Sequence, residues 1–346
     1  MTWSFIHHIT EYLGRPGLDE QKAPTLWPSE AASIITNAHG EEELVGKCRR
    51  SNYFRYVSDL YYFSSKWARY EPWINKLNEG ASPPDVYTKW IWKQGEIYEQ
   101  YCVDLAKESG VYIATQVSVY VPELNISGKL DLIVVDPETH KYHIVEVKSV
   151  YGFNSNSVVG TAADHKKGIL GKPRDSHLMQ IGIYQWWYGN PNDYGPGLLV
   201  YGSRDTGRYG EYLITVEKCE DGKDYIFYQG NSPITTEKVN SGISIQSVCA
   251  QYKHIIDCAN DMVVPERDYE LLYSDERLDL LYSRGELSKT DTAQYEKRKA
   301  QIAEGKEKVV KQVEKGDWQC SLCQYKNICY DQNSVPKDKI FEDEPL

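Results

Sequence analysis

The feature that most constrains this chain's fold is a change of hydrophobic period near residue 111. From Thr88 to Ser109 apolar residues recur at helical spacing, and Gly110 follows as a stop signal. Three short, β-branched stretches with alternating apolar and polar side chains come next, at residues 111–121, 128–136 and 143–150. The sequence therefore predicts a helix followed by three strands, the last two paired as a hairpin, in an α/β fold.

The segments that follow the three strands are less regular or strongly charged. Residues 152–175 lack a clear period and are interpreted as a long loop, and a charged helix is predicted near 291–315. The acidic tail after Asp331 is expected to be disordered. After the 152–175 segment, a helix is predicted at 176–189 and strands at 198–205 and 211–218. Helices are predicted beyond about residue 240. The chain is divided into a mainly helical N-terminal segment (1–87), a core (88–240), a C-terminal helical segment (241–330) and the tail (331–346).

Composition excludes several classes of protein. Among the 346 residues no run approaches the roughly 18 consecutive apolar residues of a membrane helix, and the start of the chain lacks the features of a secretory signal. We therefore expect no membrane association and a reducing, cytoplasmic location. The net charge of −11 argues against coating duplex DNA by bulk attraction, so any nucleic-acid surface must be local.

Three charged residues inside the strand segments are the candidate reactive groups. Asp131 ends the sequence GKLD, and Glu146 and Lys148 lie in VEVK. Because side chains alternate along a strand, Glu146 and Lys148 share a face, and a hairpin partner can bring Asp131 onto it. Two half-buried carboxylates are unfavourable unless they pair or bind a cation such as Mg²⁺. The pattern predicts a divalent-metal site in which Lys148 orients or deprotonates water, although each residue alone fits a surface ion pair.

Polar residues on the neighbouring helices could complete this site. Gln180 and Tyr184 stand four apart in the helix predicted after the loop, so they share one face. Gly95 and Glu99 lie in the helix that precedes the first strand, with Glu99 at the border of its apolar stripe. Glu99 could therefore bring a third acidic group towards the metal.

Cysteine spacing indicates a second metal centre. Cys320, Cys323 and Cys329 form a C-x2-C-x5-C run, which holds three thiolates close together. Cys48, between basic neighbours, is the best candidate for a fourth ligand. The spacing alone permits either zinc or an iron–sulfur cluster, and either one would tie the two ends of the chain together. The remaining cysteines (102, 219, 249 and 258) are expected to act as small buried hydrophobes.

The order of these motifs resembles the RecB-like branch of the PD-(D/E)xK nuclease superfamily. With one cysteine before the core and three after it, the similarity is greatest to the iron–sulfur subgroup, which includes CRISPR-adaptation nucleases and the nuclease domains of replication and recombination helicases. The resemblance implies a restriction-endonuclease-like core, a mixed sheet flanked by helices, whose N- and C-terminal helical segments are joined by a 4Fe–4S cluster. It assigns that cluster to Cys48, Cys320, Cys323 and Cys329.

The resemblance also implies an activity and its residues. Asp131, Glu146 and the Val147 carbonyl would bind Mg²⁺ or Mn²⁺. Glu99 stands where many relatives have histidine, which affects the expected metal preference. Lys148 takes the place of the catalytic lysine, while Gln180 and Tyr184 lie around the active site and DNA. The implied enzyme is a deoxyribonuclease, expected to be an exonuclease on single-stranded DNA or DNA ends.

Its biological setting follows from the same resemblance. The expected protein partners belong to recombination, replication or CRISPR adaptation, and the chain could originate from a virus or mobile element. A phosphate-binding loop of the helicase type does not occur in the sequence, so no motor is expected. The alternative is a catalytically silent DNA-binding or assembly factor that keeps the fold and the cysteine centre.

Basic residues in the 152–175 segment offer a local DNA-binding surface. Lys166, Lys167, Lys172 and Arg174 concentrate positive charge shortly after Lys148. We predict that they guide a DNA strand, with Tyr151 or Phe153 available to stack on a base. An ordinary solvated loop is the alternative interpretation.

Overall fold

Nine strands form two sheets in the computed structural model, which describes residues 5–14, 23–81, 84–305, 313 and 315–330. The small sheet pairs β1 (Ala32–Thr36) with β2 (Glu42–Gly46). The large sheet contains β3 (Tyr112–Val121), β4 (Ile126–Val135), β5 (Tyr142–Val150), β6 (Gly197–Ser203), β7 (Tyr209–Lys218), β8 (Asp224–Gly230) and β9 (Lys238–Ser244), in that spatial order. The predicted α/β class, with a mixed sheet flanked by helices, is confirmed.

The helices of the described residues precede, cross and follow this sheet. Before it come α1 (Phe5–Gly14), α2 (Arg49–Leu60), α3 (Ser65–Ala68), α4 (Glu71–Gly80) and α5 (Val86–Glu108). Between β5 and β6 lie α6 (Phe153–Val159), α7 (Ala162–Lys166) and α8 (Asp175–Tyr188). After β9 come α9 (Ile245–Asp261), α10 (Asp275–Ser283), α11 (Lys289–Ala303), α12 (Trp318–Ser321) and α13 (Lys326–Tyr330). None of the described helices is long and apolar enough to cross a membrane.

One parallel strand pair makes the large sheet mixed. β5 and β6 run parallel, whereas every other neighbouring pair is antiparallel. A parallel pair requires a long crossover, which here contains α6, α7 and α8. The predicted β4–β5 hairpin is confirmed.

Helices cover both faces of this sheet. Along β6, Leu198 and Val200 pack with apolar residues of α5, whereas Leu199 and Tyr201 belong to the main core, which contains the buried side of α8. Since successive strand residues point to opposite faces, α5 and α8 lie on opposite sides of the sheet. The functional residues on these helices and on β4 and β5 are therefore held by a packed core.

Three sequence predictions need correction. The N-terminal segment, predicted as mainly helical, also contains the β1–β2 hairpin, whose turn is closed when Asn37 Oδ1 accepts the backbone N–H of Glu41 at 3.1 Å. The 152–175 segment contains α6 and α7 in addition to loop. The charged helix ends at Ala303, and residues 306–312 and the predicted tail lie outside the described residues.

Candidate active site and cysteine cavity

The candidate active site lies where β4 and β5 separate. Their described pairing stops at Leu132 opposite Val145, one residue short of Asp131 and Glu146. At this point Asp131 Oδ2 accepts the backbone N–H of Val147 at 2.9 Å. A side chain thus takes the position of a strand partner, which fixes the Asp131 carboxyl group between the two strands.

Glu146 brings a second carboxyl group to the same point. Its side chain is 1% exposed, and Oε1 lies 2.5 Å from Lys148 Nζ. Oε2 has no hydrogen-bond partner among the described residues. The Asp131 carboxyl group is near enough for its charge to raise the pKa of Glu146. The structure therefore brings together the three residues that the sequence singled out, and it leaves a buried acceptor unsatisfied.

The pKa values at this site reflect burial and mutual repulsion. Burial raises the pKa of Glu146 to about 8; the Lys148 ammonium opposes this shift, and the Asp131 charge adds to it. Burial also raises the pKa of Asp131. For Lys148, burial lowers the pKa, but the carboxylates of Glu146, Asp131 and Glu99 outweigh that effect and the net shift is upward. The ammonium form is favoured, and a divalent cation would compensate the two acids.

Glu99 approaches this group from α5. Burial raises its pKa, and the next largest cause is the negative charge of Asp131. Gln116 Nε2 donates a hydrogen bond to Glu99 Oε1 at 2.5 Å. Gln116 has a φ of 53°, a left-handed conformation that is uncommon outside glycine. This conformation at a polar strand residue indicates a local constraint that orients Glu99.

Gln116 was missed by the sequence analysis. The β3–β4 register pairs Thr115 with Leu132 and Val117 with Leu130, which places Gln116 opposite Asp131. This relation depends on pairing between strands, and no local motif marks it.

Gln180 and Tyr184 lie against β4, as buried residues of α8. The Tyr184 hydroxyl donates to the Lys129 carbonyl at 3.0 Å and also bonds the Gln180 side chain. Burial raises the pKa of Tyr184, and the nearby Glu146 charge raises it further. A Cβ atom at Gly128 would lie 2.6 Å from the Tyr184 hydroxyl, so glycine permits this approach. Gln180 and Tyr184 thus lie next to β4, the strand that carries Asp131, and they line a surface cavity beside it.

His177 is a further residue that the sequence analysis missed. It lies one turn before Gln180 on α8, a spacing that could have revealed it. Its Nδ1 lies 2.9 Å from the Tyr201 hydroxyl. Burial is the largest cause that lowers its pKa well below the usual value. The positive charges of Lys148, Arg174 and Lys47 lower it further. The imidazole is therefore neutral, and three cationic side chains lie near enough to act on it.

The predicted basic surface divides into two parts. Arg174 immediately precedes α8 and lies beside Tyr201. The Tyr201 hydroxyl accepts the Arg174 backbone N–H at 3.1 Å. Lys172 lies next to it, 3.7 Å from Asp175 Oδ1. Lys166 and Lys167, in contrast, are exposed at the end of α7. Among these four residues, Arg174 lies near enough to the candidate active site for its charge to lower the pKa of His177, as the charge of Lys148 does.

Cys48, Cys320, Cys323 and Cys329 line one cavity. Cys48 immediately precedes α2, and the other three thiols come from the segment that carries α12 and α13. The pKa of Cys48 is raised to about 12, and burial is the largest cause. The charge of Asp268 raises it further, and Cys323 and Cys329 have smaller effects in the same direction. Burial also raises the pKa of Cys320. The structure therefore gathers all four predicted ligands around one cavity.

Polar groups surround the sulfur atoms of this cavity. Arg50 Nη1 lies 3.8 Å from Cys329 Sγ, the Tyr330 hydroxyl 3.5 Å from Cys320 Sγ, and the Ser51 hydroxyl 3.7 Å from Cys323 Sγ. The Arg50 guanidinium and the Tyr330 hydroxyl can donate to sulfur, which fits an anionic sulfur-ligated centre, whereas the Ser51 hydroxyl accepts from the Cys323 thiol. Across the part of the chain that the structure describes, no three His, Cys, Asp or Glu groups converge tightly enough to hold a single metal ion.

Comparison with known proteins adds no family assignment. No family model, no curated protein and no solved structure matches this chain. The fold and the geometry define an α/β protein with a carboxylate–lysine centre at the β4–β5 junction and a separate cavity lined by four cysteines.

Proposed function

We propose that this protein is a metal-dependent deoxyribonuclease that hydrolyses phosphodiester bonds in single-stranded DNA or at DNA ends, with Mg²⁺ or Mn²⁺. One observation carries the proposal: Asp131, Glu146 and Lys148 meet where β4 and β5 separate, and Glu146 Oε2 is buried without a partner. Two buried carboxylates with one ammonium are unfavourable by themselves, but they suit a hard divalent cation.

Each residue has a distinct role in this mechanism. Asp131, Glu146 and the Val147 carbonyl would hold the metal, which supplies Lewis-acid assistance and a more acidic bound water. Lys148 stays protonated beside Glu146, so it is suited to orient the attacking water and stabilise negative charge on the phosphate. Glu99, oriented by Gln116, adds a third acidic group at the edge of the site.

Gln180 and Tyr184 contribute to the substrate side of the site. Both lie on the buried face of α8, and both line the cavity that also contains Gly128 and Lys129 of β4. The Gln180 amide can donate to a phosphate oxygen, whereas Tyr184 is anchored on the Lys129 carbonyl and fixes the position of α8.

For the cysteine cavity we propose a 4Fe–4S cluster. Zinc requires all four sulfur atoms about 2.3 Å from a single point, whereas a cubane spreads its ligands around a wider core. The four thiols share one cavity, and the resemblance to the iron–sulfur subgroup favours the cluster over zinc. Anaerobic purification tests this: a brown protein with iron, sulfide and broad absorption near ~400 nm supports it, and colourless protein with stoichiometric zinc contradicts it.

The family resemblance suggests the biological setting. We propose an intracellular role in recombination, replication or CRISPR adaptation, in which DNA is the substrate and other proteins of those processes are partners. Lys47, Lys148 and Arg174 all act electrostatically on His177, and cations gathered in this way support a nucleic-acid substrate for a chain with net charge −11.

The nuclease assignment is tested by cleavage of 5′- and 3′-labelled single-stranded, duplex and circular DNA with Mg²⁺ or Mn²⁺. We expect the wild type to cut and Lys148→Ala to lose that activity. Lys297→Ala, at an exposed lysine on α11, is the matched control and should cut normally. A Lys148→Ala protein that cuts at the wild-type rate contradicts the proposal, and binding without cleavage of any substrate favours a silent DNA-binding factor.

A further inference from the structure

A second surface cavity adjoins the cysteine cavity and carries two exposed tryptophans. We call it the tryptophan groove, and its lining includes Lys47, Trp92, Trp318, Leu322 and Lys326. Trp92 is 57% exposed, Trp318 62% and Leu322 80%. Large exposed apolar side chains in one cavity mark a binding surface.

The charge of the groove favours an anionic occupant. Lys47 and Lys326 both line it. The carboxylate among its described lining residues is Asp85, which caps α5 by accepting the Thr88 backbone N–H at 2.7 Å. An acidic protein thus presents two cations next to two flat aromatic rings, and this combination is typical of surfaces that bind single-stranded nucleic acid.

The groove lies on the helix that also carries Glu99 of the candidate active site. Trp92 and Glu99 are seven residues apart, so they lie on the same face of that helix, about 10 Å apart along its axis. Lys47 provides a second connection, since its charge acts on His177 together with that of Lys148. The groove is therefore bordered by the helix that carries Glu99 and by the cysteine cavity, with which it shares Cys48 and Cys323.

We propose that the tryptophan groove binds the single-stranded DNA that extends from the reacting phosphate. Bases stack on Trp92 and Trp318, and the adjoining phosphates contact Lys47 and Lys326. Stacking on aromatic rings tolerates any base sequence, so the groove holds a strand without selecting its sequence. The proposal rests on the proposed nuclease function, because it takes DNA as the substrate.

Binding of a fluorescein-labelled oligothymidine in EDTA tests the groove without cleavage. We expect Trp92→Ala and Trp318→Ala each to weaken binding on the order of 5- to 100-fold. Trp92→Phe and Trp318→Phe should retain most of the affinity, because phenylalanine can still stack. Trp186→Ala, at an exposed tryptophan of α8 outside the groove lining, is the matched control and should bind normally.

An abasic strand separates stacking from general damage to the protein. The wild type should bind an abasic oligonucleotide more weakly than oligothymidine, whereas the Trp92→Ala/Trp318→Ala double variant should bind the two about equally. Lys47→Ala and Lys326→Ala should each reduce the slope of log K against log salt by about 0.7. Equal losses on both strands in the double variant would overturn stacking and indicate a structural role.

The outcomes also separate this inference from the nuclease assignment. If the wild type cuts DNA but the tryptophan variants bind and cut normally, the groove proposal is wrong and the nuclease assignment stands. If oligothymidine binding depends on both tryptophans but no DNA is cut, the groove stands and the assignment fails. If the wild type does not bind oligothymidine, the groove proposal is overturned, and its aromatic rings then fit a protein partner instead.

Discussion

Replacing Glu146 with glutamine should stabilise the metal-free protein. The pKa of this buried carboxyl is raised from 4.5 to about 8. An acid with a raised folded-state pKa stabilises the fold at low pH and loses that contribution as pH rises from 4.5 through 8. At pH 7 the folded carboxyl is mostly protonated, and holding that proton 2.5 pH units above the unfolded pKa of 4.5 costs about 3 kcal/mol at 1.36 kcal/mol per unit, which the neutral glutamine avoids.

Thermal unfolding in EDTA between pH 4 and pH 9 measures this effect. At about 2 cal/mol/K of unfolding entropy per residue, 3 kcal/mol corresponds to about 4 °C in a chain of 346 residues. At pH 7 we expect Glu146→Gln to melt about 4 °C above the wild type, with the difference disappearing below pH 5. Glu138→Gln, in the exposed β4–β5 turn, is the control and should match the wild type.

Added Mn²⁺ should reverse the order of stability. A ligand at 100 times its Kd stabilises the folded state by about 3 kcal/mol. We expect this gain for the wild type and a much smaller one for Glu146→Gln, which loses a charged ligand. If the variant melts below the wild type in EDTA at pH 7 and gains equally from Mn²⁺, the account of Glu146 as a destabilising metal ligand is refuted.

Three further substitutions test other parts of the structure. Gln116→Ala should free the Glu99 carboxyl, lower cleavage about 10-fold and change the ratio of Mg²⁺ to Mn²⁺ activity; an unchanged ratio contradicts the positioning role. Gly128→Ala places a methyl group against the Tyr184 hydroxyl and should lower the free energy of unfolding by about 1–3 kcal/mol in urea titration, whereas wild-type stability would contradict this contact. Cys48→Ser should lose bound iron in elemental analysis and melt earlier, and full iron content would exclude Cys48 as a ligand.

Local sequence patterns predicted the parts of the fold that depend on local periodicity. The α5 helix and the strands β3 to β5 agree with their predicted ranges to within two residues, because each has a clear periodic or β-branched pattern and a turn or stop signal at its end. The common face of Glu146 and Lys148 follows from alternation alone, and their ion pair confirms it. The β1–β2 hairpin was missed because its strands are five residues long and Ile34 points into solvent.

Non-local pairing accounts for the rest of the site. Gln116 matters because the register places it opposite Asp131, and nothing near residue 116 encodes that register. Arg50 is one of the basic neighbours of Cys48, but its approach to Cys329, 279 residues further along the chain, depends on tertiary packing. The shared cavity of four cysteines was expected from spacing and family resemblance, but its neighbouring tryptophan groove arises only when α5, α12 and the start of α2 are packed together.

The cysteine cavity has a consequence for the timing of folding during synthesis. Its first wall, at Cys48, emerges from the ribosome 281 residues before its last, at Cys329. At about 5–20 residues per second, the interval is roughly 15–55 s. During that time the β-sheet can form before Cys320, Cys323 and Cys329 have been synthesised. Any inorganic centre at the four cysteines is therefore inserted late, after the core has folded.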